Sequence, residues 1–286
     1  MRIRAGYEIA FDCQGPTPMI LMLSVRPERF PDLITPQTIK VSPRTPVREY
    51  RDSFGNVCHR LIAPQGRITF SADFLVADSG LPDEVAPHAI QHPVDELPDE
   101  TLVYLLGSRY SETEALRDTA WAEFGHTEPG WSRVQTIVDY VHDHLTFNYG
   151  AARPTRTALE AHQERLGVCR DFAHLAITLC RCMNIPARYC TGYLGDIGIP
   201  VMDSPMDFSA WFEVFLGGRW RTFDARHNKP RIGRICMARG RDATDAAITT
   251  AFGAPNLVTF KVITEEVEPA ETAIPDRAPA EPALHP

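Results

Sequence analysis

Apolar and polar residues alternate from the first residues of the chain. Ile3, Ala5, Tyr7, Ile9 and Phe11 fall on one face of a strand, and Met19–Val25 is a nearly continuous apolar run of the kind a buried strand shows. After a Pro-rich loop, the turn residues Asp52-Ser53-Phe54-Gly55-Asn56 precede a strand at Val57–Ile62, and Ile68, Phe70, Ala72, Phe74 and Val76 alternate again. Residues 1–80 therefore read as an antiparallel β-sandwich or barrel-like domain, and the Pro-rich residues 81–99 as a linker. The period then changes. Ser111-Glu112-Thr113-Glu114 is a capping sequence for a helix to about Phe124, and Val134, Ile137, Val138, Val141 and Leu145 mark a second helix. A short helix over 157–163 leads into Leu166-Gly167. From Cys169, the residues Phe172, Ala173, Ala176, Cys180 and Met183 follow at i+3, i+4, i+7, i+11 and i+14, one stripe of a helix that ends near Pro186. Strands at Ala187–Tyr193, Trp211–Leu216 and Arg219–Phe223 follow, the last two joined by Gly217-Gly218, a hairpin turn. Helices followed by an antiparallel sheet make residues 100–264 an α+β domain.

Charge changes the picture at the end of the chain. The formal charge of −8 includes six acids and one base within residues 265–286, leaving a near-neutral body without a basic stripe. That balance excludes nucleic acid as a partner, and the acidic Pro/Ala-rich segment 265–286 reads as a disordered, solubilising tail. No apolar run approaches membrane-helix length and no signal peptide is legible, so a cytoplasmic protein away from membranes is expected. Seven cysteines without a paired framework suit a reducing compartment.

Cys169 begins its helix, where unpaired backbone N–H groups and the helix dipole favour a thiolate and can hold an oxyanion. The competing reading is a small buried hydrophobe. With Gly217-Gly218 as a two-residue turn, Leu216 pairs with Arg219, so positions 209, 211 and 224 share a hairpin face and 209 and 224 are diagonal neighbours ~7–8 Å apart. That would suit a base at 209 and an orienting carboxylate at 224, but position 209 is serine. His227 would lie on the opposite face from Asp224 if the strand continued past it. His174 lies about 140° round the helix from Cys169 and reads as a wall residue. His142/His144 and Cys180/Cys182 are i, i+2 pairs that cannot chelate a metal by themselves, so no metal site is expected.

Gly167-Val168-Cys169-Arg170-Asp171-Phe172-Ala173, Ala210-Trp211-Phe212-Glu213-Val214 and Trp220-Arg221-Thr222-Phe223-Asp224 together resemble the bacterial transglutaminase-like superfamily. The resemblance spans roughly residues 100–255, and the β-rich start resembles the N-terminal domain such proteins often carry. It implies a papain-like core with catalytic order Cys, His, Asp, thioester chemistry on glutamine-type or other amide carbonyls of a protein or peptide, and no cofactor. Carried over by position, Cys169 matches the nucleophile, Asp224 the orienting acid, and Ser209 stands where the family has histidine. Two functions follow from the resemblance. One is a cysteine hydrolase or acyltransferase slowed by the missing imidazole, and the other a non-catalytic module that binds a protein or peptide.

Overall fold

The structure, a computed structural model, describes residues 1–200 and 206–268. The first part contributes β1 (Arg2–Cys13), β2 (Thr17–Leu21), β3 (Lys40–Ser42), β4 (Arg48–Arg51), β5 (Val57–Ala63) and β6 (Gly66–Ala77). Helices follow: α1 (Asp99–Leu102), α2 (Thr113–Phe124) and α3 (Trp131–His144), then the short β7 (Thr146–Phe147), α4 (Ala158–Glu164), β8 (Leu166–Gly167) and α5 (Cys169–Cys182). The chain continues through β9 (Ala187–Tyr193), β10 (Ser209–Leu216), β11 (Arg219–Phe223), β12 (Ile235–Gly240), β13 (Thr249–Ala251) and β14 (Asn256–Glu266).

The fold is α+β, with an antiparallel sandwich at the start as the alternation predicts. Two four-stranded sheets, β14-β1-β6-β3 and β13-β2-β5-β4, pack around Ile3, Ile9, Met19, Leu21, Leu61, Phe70 and Phe74, most of which are wholly buried. The third sheet, β11-β10-β9-β12, carries α5 on one face. Its core joins Phe172, Ala176 and Leu179 of α5 to Ala210, Phe212, Val214 and Leu216 of β10 and to Val134, Ile137 and Val141 of α3. No helix of the described residues is long and apolar enough to cross a membrane.

The sequence-derived boundary at 264 is corrected by the sheets. β13 pairs with β2, and β14 pairs with β1 from Asp12↔Asn256 to Ile3↔Glu266, so the end of the chain closes both sheets of the sandwich. Glu265 and Glu266, assigned from composition to the tail, are strand residues, and Arg4 binds Glu265 at 3.2 Å. Local charge cannot reveal a partner strand more than two hundred residues away. The rest of the predicted tail, 269–286, lies outside the described residues. Two smaller expectations also shift. α2 starts at Thr113 with no side-chain cap, the Ser111 hydroxyl having no partner. β2 ends at Leu21, although Leu23 and Val25 stay buried beyond it.

Candidate active site

The start of α5 is held by an acid inside its own first turn. Asp171, 1% exposed, accepts the Val168 N–H through Oδ2 (2.9 Å) and binds Arg156 Nη1 at 3.1 Å, so the backbone turns into the helix with Cys169 as its first residue. Gly167 makes this possible, because a Cβ there would stand 2.6 Å from the Asp171 Cβ.

The thiol itself corrects an expectation. Loss of hydration pushes Cys169 up to about 11, and neither Arg226 nor a backbone hydrogen bond from Ala210 offsets it, while Asp207 and Asp224 add to the rise. At neutral pH the resting group is a thiol. The helix end is outweighed because Cys169 packs against the apolar core.

The hairpin has the predicted register, with Leu216↔Arg219 through Phe212↔Phe223, and Gly217 and Gly218 at φ 58° and 78° supply the positive-φ turn. Its continuation differs from the extrapolated strand. β11 stops at Phe223 because Asp224 captures the chain. Its Oδ1 accepts the N–H groups of Arg226 and His227, each at 3.1 Å, and its carbonyl accepts the Asn228 N–H at 2.8 Å. This turn swings His227 back, so its Nδ1 sits 2.8 Å from Asp224 Oδ2 rather than on the opposite face. Arg234 Nη2 reaches the same oxygen at 2.9 Å. Burial by itself would raise the Asp224 carboxyl, yet Arg234 and His227 outweigh it and hold the group well below the usual carboxylate range. Asp224 is an anion at any working pH, and its contact with Nδ1 orients the His227 ring so that Nε2 points away from the carboxylate.

Ser209 opens β10, pairs with Gly192, and its carbonyl accepts the Thr191 hydroxyl at 3.1 Å. Its own hydroxyl is buried without a partner, as is His227 Nε2. Both residues line one small cavity of about 30 Å³, together with Tyr149, Asp207 and Arg226. Arg226 lies 3.8 Å over the Phe147 ring and 5.9 Å from that of Tyr149, which fixes a cation beside the thiol.

The structure thus gathers Asp224, His227, Ser209 and Arg226, and the charges of Arg226 and Asp224 reach Cys169. Of these, Arg226 was not singled out from the sequence, and neither was Arg234. Arg226 stands two residues from a candidate acid, which is a weak signal, whereas Arg234 arrives from the entry to β12 with no local pattern. Three other histidines, His174, His142 and His144, have structural partners. His174 is fully buried, stacked 4.9 Å on Tyr110 and accepting the Ala243 N–H through Nε2, and burial pulls it down to about 3. His142 Nδ1 meets the Ala225 carbonyl and His144 Nε2 that of His162.

Comparison with known proteins places this chain among relatives. The sequence profile of the Transglutaminase-like superfamily matches residues 113–225, which hold both Cys169 and Asp224. A solved structure of a candidate cysteine protease from Cytophaga hutchinsonii superposes with a TM-score of 0.79 at 30% identity, covering 94% of this chain and 91% of that one. An uncharacterized protein of Mycobacterium leprae is 25% identical over 228 residues, 73% of this chain and 77% of its own. An uncharacterized protein of Mycobacterium tuberculosis is 26% identical over 214 residues, 68% of each chain.

Proposed function

This chain belongs to the transglutaminase-like superfamily, and from that membership we propose that it is a cysteine enzyme acting on amide carbonyls of a protein or peptide, with Cys169 as nucleophile and His227, oriented by Asp224, as its acid–base partner. The observation that carries this reading is the Asp224–His227 contact at 2.8 Å, with His227 Nε2 buried and unpartnered in the cavity wall it shares with Ser209. An imidazole held in that orientation is the group that the serine at the family's histidine position would otherwise leave missing.

In the proposed reaction His227 Nε2 takes the Cys169 proton, directly or through the Ser209 hydroxyl. Sγ attacks the carbonyl carbon, and the tetrahedral oxyanion is held by N–H groups of the first turn of α5. Collapse expels ammonia or an amine, which takes the proton back from His227, and leaves a thioester. Water or a second amine then attacks the thioester, giving hydrolysis or acyl transfer. Burial pushes the resting thiol up to about 11, so little thiolate is present at neutral pH and turnover is expected to be slow.

The raised thiol and Ser209 favour a second reading, in which the same fold binds a peptide without turning it over. The test separates the two. Ammonia release and amine incorporation are measured on a glutamine-containing peptide for the unmodified chain, Cys169→Ala, His227→Gln and Ser209→His. Cys169-dependent turnover that falls 10²–10⁴-fold in His227→Gln supports the enzyme. A rate unaffected by Cys169→Ala excludes it. Silence of the unmodified chain together with rescue by Ser209→His supports the binding module.

A further inference from the structure

Side chains of β10 alternate. Ala210, Phe212, Val214 and Leu216 enter the core with α5, so Trp211 and Glu213 project from the other face, toward the sandwich. There they meet Glu28, Arg29 and Asp78 across a cleft of about 270 Å³. We propose that this cleft is a binding site for a small oxyanion, a phosphate or a carboxylate group, separate from the Cys169 site.

Four arginines in its walls are each anchored through one part of the guanidinium and left open at another. Arg234 gives Nε to Asp83 (2.8 Å) and Nη2 to Asp224 (2.9 Å), with its plane 5.0 Å over Trp211, while Nη1 has no acceptor. Arg239 gives Nη1 to Glu28 and Nη2 to Glu213, both at 3.0 Å, and its Nε is unpartnered. Arg29 reaches Asp78 at 3.1 Å through Nη2 and leaves Nε open. Arg231, only 2% exposed, donates Nη2 to the Gly195 carbonyl at 2.8 Å, and both its Nε and Nη1 lack an acceptor.

Five buried guanidinium nitrogens without acceptors thus belong to four arginines in the walls of one cleft. Buried donors are ordinarily satisfied, and a guanidinium can donate but never accept, so the missing partner is an acceptor and most favourably an anion. Burial lowers the Arg231 pKa, as befits a cation whose counter-charge is incomplete. The carboxylates on the same walls fix the forks in place before a ligand arrives and repel an extended polyanion, which limits the occupant to a small group. Arg234 joins this cleft to Asp224, so an occupant there is one residue removed from the Asp224–His227 pair.

Isothermal titration of the full chain with inorganic phosphate, and separately with acetate, at constant ionic strength tests the site. A single saturable event is expected, weakened at least tenfold by Arg231→Lys, which keeps the charge and removes Nε and the fork, and likewise by Arg239→Gln. Exposed Arg67→Gln and the Cys169→Ala variant should bind as the unmodified chain does, the latter showing that the site stands apart from cysteine chemistry. Whichever anion binds more tightly identifies the group. If circular dichroism shows Arg231→Lys unfolded, Arg239→Gln decides alone. No saturable heat with either anion, or affinity unchanged in the folded arginine variants, overturns the proposal and leaves water as the acceptor in the cleft.

Discussion

The two sides of β10 solve opposite problems with one backbone. Toward α5, Ala210, Phe212, Val214 and Leu216 exclude water, and the consequence is electrostatic: a thiol at that core is pushed up to about 11. Toward the sandwich, Glu213 is equally buried at 7% exposure, yet Arg188 and Arg239 outweigh the cost of its burial and hold its carboxyl below the usual range. Burial therefore does not decide the charge state by itself. What decides it is whether fixed opposite charges replace the lost water.

Two substitutions should destabilise most, for different reasons. Phe212→Ala removes a fully buried ring from the apolar side and should cost about 3–5 kcal/mol. Glu213→Ala strands Arg188 and Arg239 without their carboxylate and should cost about 3–5 kcal/mol as well. Denaturant titration measures both. If replacing Glu213, Arg188 and Arg239 together with leucines failed to recover most of the second loss, ionic pairing would not be what the inner side has in place of apolar packing.

A smaller effect follows pH. His174 is held neutral in the fold, down to about 3 from 6.5, while the unfolded chain protonates it near 6.5. Its contribution is present above pH 6.5 and is lost as pH falls toward 3, because the unfolded state binds the proton first. Unfolding midpoints of His174→Phe should accordingly be flatter over that window than those of the unmodified chain. Cys169 acts at the other end of the scale with the opposite sign. Raised from 9.0, it favours folding below pH 9 and loses that contribution as pH climbs through about 11. Its iodoacetamide alkylation should have a midpoint near 11 that drops toward 9 in urea. The least effect is expected at Arg67, whose pair with Asp12 sits in solvent on the outer sandwich. Arg67→Ala should leave the denaturation midpoint within replicate scatter, since water already screens that pair.

Much of the site could be read locally. The 3.6-residue stripe from Cys169 and the Gly217-Gly218 turn predicted both α5 and the pairing of β10 with β11, because each depends on residues close in sequence. The opposite-face position of His227 held only for a strand that continued past Asp224, and three hydrogen bonds to Asp224 end the strand there. The thiol's acidity was misjudged because a helix end is visible in sequence and desolvation by a distant core is not. Arg234 and the return of β13 and β14 left no local trace, being set by tertiary packing alone.

The pairing of Ile3 with Glu266 has a consequence for how the chain is made. Translation proceeds at 5–20 residues per second, so β1 waits roughly 13–50 s between its own emergence and that of its partner β14. During that interval one edge of the first strand is an open template for other nascent chains. The sandwich can begin with β1 and β6, but its last edges close only once β13 and β14 have emerged. The time for which that edge stays uncovered is therefore set by the rate of translation rather than by the rate of folding.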